Sequence, residues 1–263
     1  MNLKEKFMLY LADLTKKDCQ LLHSNELALS LIDLTLLNQN ATDNELILLQ
    51  NKAITHQVAA ICVYPEHLAK FQSLTACKHA TVVNFPQGNE PIKPLLFAIE
   101  TIINNYHPDE IDYVFPYEHY LGGEKERALK HCREAYLLCQ RYSKTFKVIL
   151  ETGVFPTPET IYQLGREIID NGCDFLKTST GKVPSGVTPT AAFSLLKAIK
   201  DSGSNCGIKV SGGIKKPAQA FLYMELAHHV LNKKVDSSWF RIGASSLLDE
   251  LINKTHNNTH PDY

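Results

Sequence analysis

Short apolar runs rich in β-branched residues alternate along this chain with longer stretches in which apolar side chains return every three or four positions. The runs at 30–36, 58–63, 80–85, 110–115, 146–151, 174–178, 207–211 and 240–244 read as strands. Between them, 122–142, 158–171, 188–201 and 217–231 carry helical spacing. Thr157-Pro158 and Thr188-Pro189 each set a capping hydroxyl before a proline in the first turn, and Asn171-Gly172 supplies a helix stop.

Eight strands spaced by roughly thirty residues, each followed by a helix, predict an α/β fold of the closed (β/α)8 TIM-barrel type, which typically takes about 250 residues. An open doubly wound sheet is the alternative, because spacing alone does not count strands. The 263 residues are 44% apolar, enough for a sizeable core, and no linker or shift in composition divides them. A single domain over 1–263 is expected, with an N-terminal helical extension at 1–28, beneath the barrel or at a subunit interface, and a mobile polar tail at 254–263.

Charge narrows the range of partners. A formal net charge of -1 gives no electrostatic reason to expect nucleic acid or an anionic membrane. No apolar run approaches a bilayer span, and the first ten residues lack the form of a signal peptide, so the cytoplasm is the expected compartment. The seven cysteines are scattered, odd in number and without a CxxC pair, which argues against a disulfide framework or structural zinc.

A barrel carries its chemistry at the C-terminal ends of its strands, so polar residues inside apolar strands come first: Asp33, Asp112, Lys177 and Lys209. Lys177 follows Phe175 and Leu176, where a permanent ammonium is costly to desolvate. The structural reading is a lysine snorkelling to water; the functional one is an amine that attacks a carbonyl. Only the neutral amine attacks, and an unperturbed lysine with pKa near ~10.4 is neutral about four times in ten thousand at pH 7. Lys209 lies in the next predicted strand, about 4.8 Å away, and like-charge repulsion there would favour neutral Lys177. Asp112 fits either a salt bridge to an inward lysine or a proton-transfer role, and the two are compatible. Ser211-Gly-Gly213 and Arg241-Ile-Gly-Ala-Ser-Ser246 end the seventh and eighth strands, where barrels often hold phosphate on backbone N–H groups and a helix N-terminus.

These residues resemble a known family. Asp174-Phe-Leu-Lys-Thr-Ser-Thr-Gly-Lys182 is similar to the Schiff-base segment of deoxyribose-phosphate aldolases, with Lys177 as the imine-forming lysine. Ile111-Asp-Tyr-Val-Phe-Pro-Tyr117 resembles their aspartate-bearing strand and Gly207-Ile-Lys-Val-Ser-Gly-Gly213 their second-lysine strand. Leu31-Ile-Asp-Leu-Thr-Leu-Leu37, Ala60-Ile-Cys-Val-Tyr-Pro65 and Val83-Asn-Phe-Pro86 resemble the first three strand ends, and matches run in family order from about 31 to 248.

The resemblance implies metal-free, cofactor-free, reversible cleavage of 2-deoxy-D-ribose 5-phosphate to glyceraldehyde 3-phosphate and acetaldehyde, in deoxyribonucleotide catabolism. It makes Lys177, Asp112 and Lys209 catalytic. It puts Asp33, Thr180, Gly181, Lys182, Gly212, Gly213, Gly243, Ser245 and Ser246 near the sugar phosphate, and Tyr263 becomes a candidate contribution from the tail. It also implies a homo-oligomer, with a dimer favoured. Val210 and Tyr113 depart from the family pattern without removing a reactive group, and the segment before Leu31 is longer than usual.

Other readings compete. A metal-dependent aldolase needs clustered histidine ligands, whereas the eleven histidines are scattered apart from His228-His229. A different lysine aldolase or a transaldolase shares the imine chemistry. A non-catalytic sugar-phosphate-binding barrel would be expected to lack Lys177, Lys209 or Asp112, and all three are present.

Overall fold

The first and last strands settle whether the sheet is open or closed. In the computed structural model, which describes residues 2–14, 24–71 and 76–257, β1 (Ile32–Leu36) pairs with β8 (Phe240–Ala244) through Ile32–Ile242 and Asp33–Gly243. Between them β2 (Ala60–Val63), β3 (Lys78–Val83), β4 (Glu110–Val114), β5 (Thr145–Ile149), β6 (Phe175–Lys177) and β7 (Gly207–Ser211) follow in sequence order, all parallel. This is the expected (β/α)8 barrel, and the open sheet is set aside.

Parallel neighbours need a crossover, and helices supply most of them. They are α3 (Asp43–Thr55), α4 (Ile92–Tyr106), α5 and α6 (Tyr117–Leu121, Lys125–Arg141), α7 (Pro158–Asn171), α8 (Pro189–Ser202) and α9 (Pro217–Leu231). The caps act as read: Thr157 and Thr188 side chains accept from the N–H groups of Thr160 and Ala191. The crossover after β2 differs, since a 3₁₀ segment (Pro65–Phe71) stands where a full helix was expected. Predicted strands also ran long: β5 stops at Ile149 and β6 spans three residues, because the chain turns away as soon as the barrel rim is reached.

The described parts of the termini are helical. Helix α1 (Leu3–Leu14) lies on the barrel's flank rather than beneath it. Leu3 and Phe7 are buried against α7 and α8, with the Phe7 and Phe193 rings 5.4 Å apart and the Leu3 N–H donating to Glu159. Helix α2 (Asn25–Ser30), capped by Ser24, leads into β1. The last helix, α10 (Leu247–Asn257), takes in residues 254–257 of the expected tail, whose remainder, 258–263, lies outside the described residues. Tyr263 lies outside the described residues. Among those described, no helix is long and apolar enough to cross a membrane.

Two unlike interiors result. The large apolar core fills the space between barrel and helices, where Ile111, Tyr113, Val148, Leu176 and Ile208 point outward from their strands. Inside the barrel, β2 and β3 contribute only a small cluster of Ala60, Cys62, Ala80 and Val82. The remaining strands turn charged side chains inward, because side chains alternate along a strand: Glu110 and Asp112 share one face of β4, Ile111 and Tyr113 the other.

Candidate active site

A chain of buried ion pairs rises through the barrel. At its base, Arg241 donates to Glu110 Oε1 at 2.9 Å and to Asp33 Oδ1 at 2.7 Å. Lys147 bridges Glu110, Asp33 (3.0 Å) and Asp112 Oδ1 (3.3 Å). Lys209 joins Asp33 (2.5 Å) to Asp112 Oδ2 (2.7 Å). Lys177 Nζ completes the column, donating to that same Asp112 Oδ2 at 2.8 Å. All seven residues are almost wholly withdrawn from solvent.

The strand register explains the convergence. Lys177 pairs with Lys209, Lys209 with Arg241, and Asp112 with Lys147 across adjacent strands, so their inward side chains meet at one level after another. Phe175, two residues before Lys177, puts its ring 5.9 Å from the Lys147 ammonium and 5.8 Å from the Arg241 guanidinium. Gly207 makes room for that ring, since a Cβ there would stand 2.6 Å from it.

Electrostatics separates the two lysines. Burial lowers the Lys177 pKa; Asp112 opposes this, and the neighbouring Lys209 ammonium adds to the lowering. For Lys209, burial acts the same way, but Asp112 and Asp33 together outweigh it and hold the pKa above its ordinary value. Burial would raise the Asp112 carboxyl, yet Lys147, Lys177 and Lys209 overcome it and keep Asp112 ionised. Four basic groups thus face three carboxylates, and the cluster is neutral when Lys177 gives up its proton. The expectation that Lys209 is what neutralises Lys177 needs adjusting: desolvation leads, and the cation assists.

Above Lys177 opens a cavity of about 370 Å³. Thr180, Gly181, Lys182, Gly212, Gly213, Gly243, Ser245 and Ser246, the residues expected near the sugar phosphate apart from Asp33, all line it. Gly181, Gly212 and Gly213 have φ of 76°, 91° and 86°, a backbone region in which a side chain is strained. A Cβ on Gly186 would meet the Gly212 carbonyl at 2.1 Å, so the loops after β6 and β7 touch through their backbones. Ser245 and Ser246 immediately precede α10, whose N-terminus therefore opens on the cavity.

One anticipated residue lies outside the cavity, and another has a second neighbour to accommodate. Asp33, grouped with the substrate contacts, does not reach the cavity; it lies below, tied to Lys147, Lys209 and Arg241. Gly243 lines the cavity but also serves Lys209, whose Cε would lie 3.1 Å from an added Cβ.

Sequence reasoning missed Glu110, Lys147 and Arg241 as members of the column, Glu151 outside it, and Thr35, Asn38 and Lys215 as cavity lining. Lys147 and Glu110 carried the signal that exposed Lys177, a charge inside an apolar strand, and could have been found by it. Glu151 had been read as the end of a strand. Instead it lies beyond β5 in left-handed conformation (φ 54°, ψ 58°), fully buried, its carboxylate accepting from the Thr180 backbone N–H at 3.2 Å and from the Thr180 hydroxyl. Burial raises its pKa, opposed by these bonds and by Lys177.

Residues 27–250 match the family model for DeoC/LacD family aldolases. Among solved structures, a tetrameric deoxyribose phosphate aldolase from Aeropyrum pernix is 25% identical, with a TM-score of 0.75 over 91% of this chain and 99% of that one. Two proteins with a provisional deoxyribose-phosphate aldolase assignment share the fold. The one from Coccidioides immitis has 20% identity and a TM-score of 0.77 over 97% and 98% of the two chains. The one from Toxoplasma gondii has 18% identity and a TM-score of 0.79 over 91% and 98%. With the family model matched along most of its length, the chain belongs to the DeoC/LacD family of aldolases.

Proposed function

We propose that the chain cleaves 2-deoxy-D-ribose 5-phosphate reversibly to glyceraldehyde 3-phosphate and acetaldehyde through an imine on Lys177. One observation carries this reading: Lys177 and Lys209 donate to a single buried Asp112 oxygen, 2.8 and 2.7 Å away, directly beneath an open cavity. An amine that burial drives toward its neutral form is a nucleophile, and the same burial makes it useless as a surface charge.

In the cleavage direction the Lys177 lone pair adds to the C1 carbonyl carbon, and the carbinolamine loses water to give a protonated imine. A base removes the C3 hydroxyl proton, the C2–C3 bonding pair moves into the imine, and glyceraldehyde 3-phosphate departs. The enamine takes a proton at C2, and water releases acetaldehyde and the free amine. Asp112 lies within hydrogen-bond distance of the reacting nitrogen and moves protons there, directly or through water. Lys209 stays charged and keeps Asp112 ionised. The phosphate is held where the Gly181-Lys182 rim meets Gly212, Gly213, Gly243, Ser245 and Ser246, on backbone N–H groups and at the α10 N-terminus.

Reduction with borohydride in the presence of acetaldehyde tests the nucleophile. Peptide mapping is expected to find the ethyl adduct on Lys177, and Lys177→Ala to give no adduct while folding normally. Label on Lys182 or Lys209 would overturn the assignment. A donor and acceptor panel tests the substrate: preferential cleavage of a six-carbon bisphosphate would count against deoxyribose phosphate.

A further inference from the structure

Glu151 is a fully buried carboxylate that the imine chemistry leaves unused. It takes the left-handed backbone region that glycine adopts without strain, so its side chain is present despite the conformation. It is not part of the ion-pair column: among the described residues its Oε2 accepts only from Thr180, by backbone N–H and hydroxyl, and Oε1 meets no hydrogen-bond partner.

The contacts lead on from Thr180 to the cavity rim. The Thr180 hydroxyl, while donating to Glu151, accepts from the Lys182 N–H at 3.1 Å. Lys182 in turn reaches across the mouth, its ammonium donating to the Leu37 carbonyl at 2.8 Å. Thr180, Gly181 and Lys182 all line the cavity. The loop is also pressed from both sides. A Cβ on Gly153 would stand 2.4 Å from the Ser185 carbonyl, and the Ser211 hydroxyl donates to the Ser179 carbonyl at 2.6 Å. Glu151 is therefore the acceptor that decides how Thr180 is turned, and Thr180 decides where the Lys182 backbone lies.

We propose that Glu151 is a positioning residue for substrate recognition: through Thr180 it sets the rim from Thr180 to Lys182, and so the grip on the phosphorylated end of the substrate. It is not among the residues that line the cavity, and its hydrogen bonds run to Thr180, not to Lys177. The inference rests on the proposed function, and its test separates the two, because acetaldehyde forms the imine without engaging any phosphate site.

The experiment compares Glu151→Ala, Glu151→Gln and wild type in three assays: borohydride trapping with acetaldehyde, cleavage of 2-deoxyribose 5-phosphate, and cleavage of unphosphorylated 2-deoxyribose. Losing a charged acceptor for two donors is expected to raise KM for the phosphorylated sugar about tenfold or more. Trapping on Lys177 and cleavage of the unphosphorylated sugar should stay near wild type. Glu151→Gln keeps an acceptor for Thr180 and should recover most of the KM. Should Glu151→Ala not fold, Glu151→Asp, which pulls the acceptor back by one methylene, reads the same quantity. In a cycle with Thr180→Val, which leaves only the backbone N–H to donate to Glu151, adding Glu151→Ala should raise KM by less than it does in the wild type. An unchanged KM, equal losses on both sugars, or loss of trapping in parallel with cleavage would each overturn the inference. Absence of trapping in the wild type would sink the proposed function itself.

Discussion

Lys177 and Lys209 differ by one strand and share one carboxylate oxygen, yet their surroundings shift their pKa values in opposite directions. Lys209 is enclosed by two carboxylates, Asp33 and Asp112, while Lys177 meets only Asp112 and opens on the cavity. A lysine whose folded pKa is lowered gains its neutral form below the usual ~10.4, so imine formation should rise with pH and level off under that value. Lys209→Leu removes a repelling cation and leaves Asp112 freer to pair with Lys177. Both changes favour the ammonium, so the rising limb should move to higher pH. A rate profile of acetaldehyde trapping that does not move would refute the tuning role. Lys177, Lys209 and Asp112 were all legible in the sequence, because a charge within an apolar strand is costly and invites a reason. Which cause dominates was not legible, since desolvation depends on what the other seven strands place around the amine.

The strands work as rulers. A step of two residues keeps a side chain on the same face, which is why Phe175 lies below Lys177 and Glu110 below Asp112 inside the barrel. Gly207 is required by this packing, not by a turn: a methyl there would meet the Phe175 ring and the Trp239 carbonyl, both at 2.6 Å. Gly207→Ala should therefore destabilise the fold by about 1–3 kcal/mol, measured by urea denaturation. Stability equal to wild type would mean that the ring has somewhere else to go. Helix α1 offers a second measure. Phe7→Ala removes a ring buried against Phe193 and should cost about 3 kcal/mol if α1 is part of the cooperative unit. A much smaller loss would mean that α1 detaches before the barrel unfolds.

Across the whole barrel, the charged column replaces the apolar filling that such interiors usually hold. Each ion has been taken out of water, so the column is stable only while its partners are complete. Asp33, like Asp112, is shared by three cations, and Asp33→Asn leaves Lys147, Lys209 and Arg241 with Glu110 and Asp112 alone. Breaking a buried pair this way costs about 3–5 kcal/mol, which for a chain of this size lowers Tm by about 10 °C. The expected result is a calorimetric Tm well below wild type, with Lys177 still reactive toward acetaldehyde in the folded fraction. An unchanged Tm would show that the column contributes specificity and not stability.

Local chemistry determined much of this protein. Alternation and spacing specify eight strands and the helices between them, and the price of a charge among apolar neighbours picks out Lys177, Lys209, Asp112 and Asp33. Glycines and serines at two strand ends mark the cavity rim. The closure of β8 on β1 and the sharing of Asp112 by two lysines came only with the folded barrel. So did the paths by which Glu151 reaches the rim and α1 reaches the flank. These are distances between residues far apart in the chain, and the energies that fix them depend on burial and mutual charge, which no local window of sequence contains.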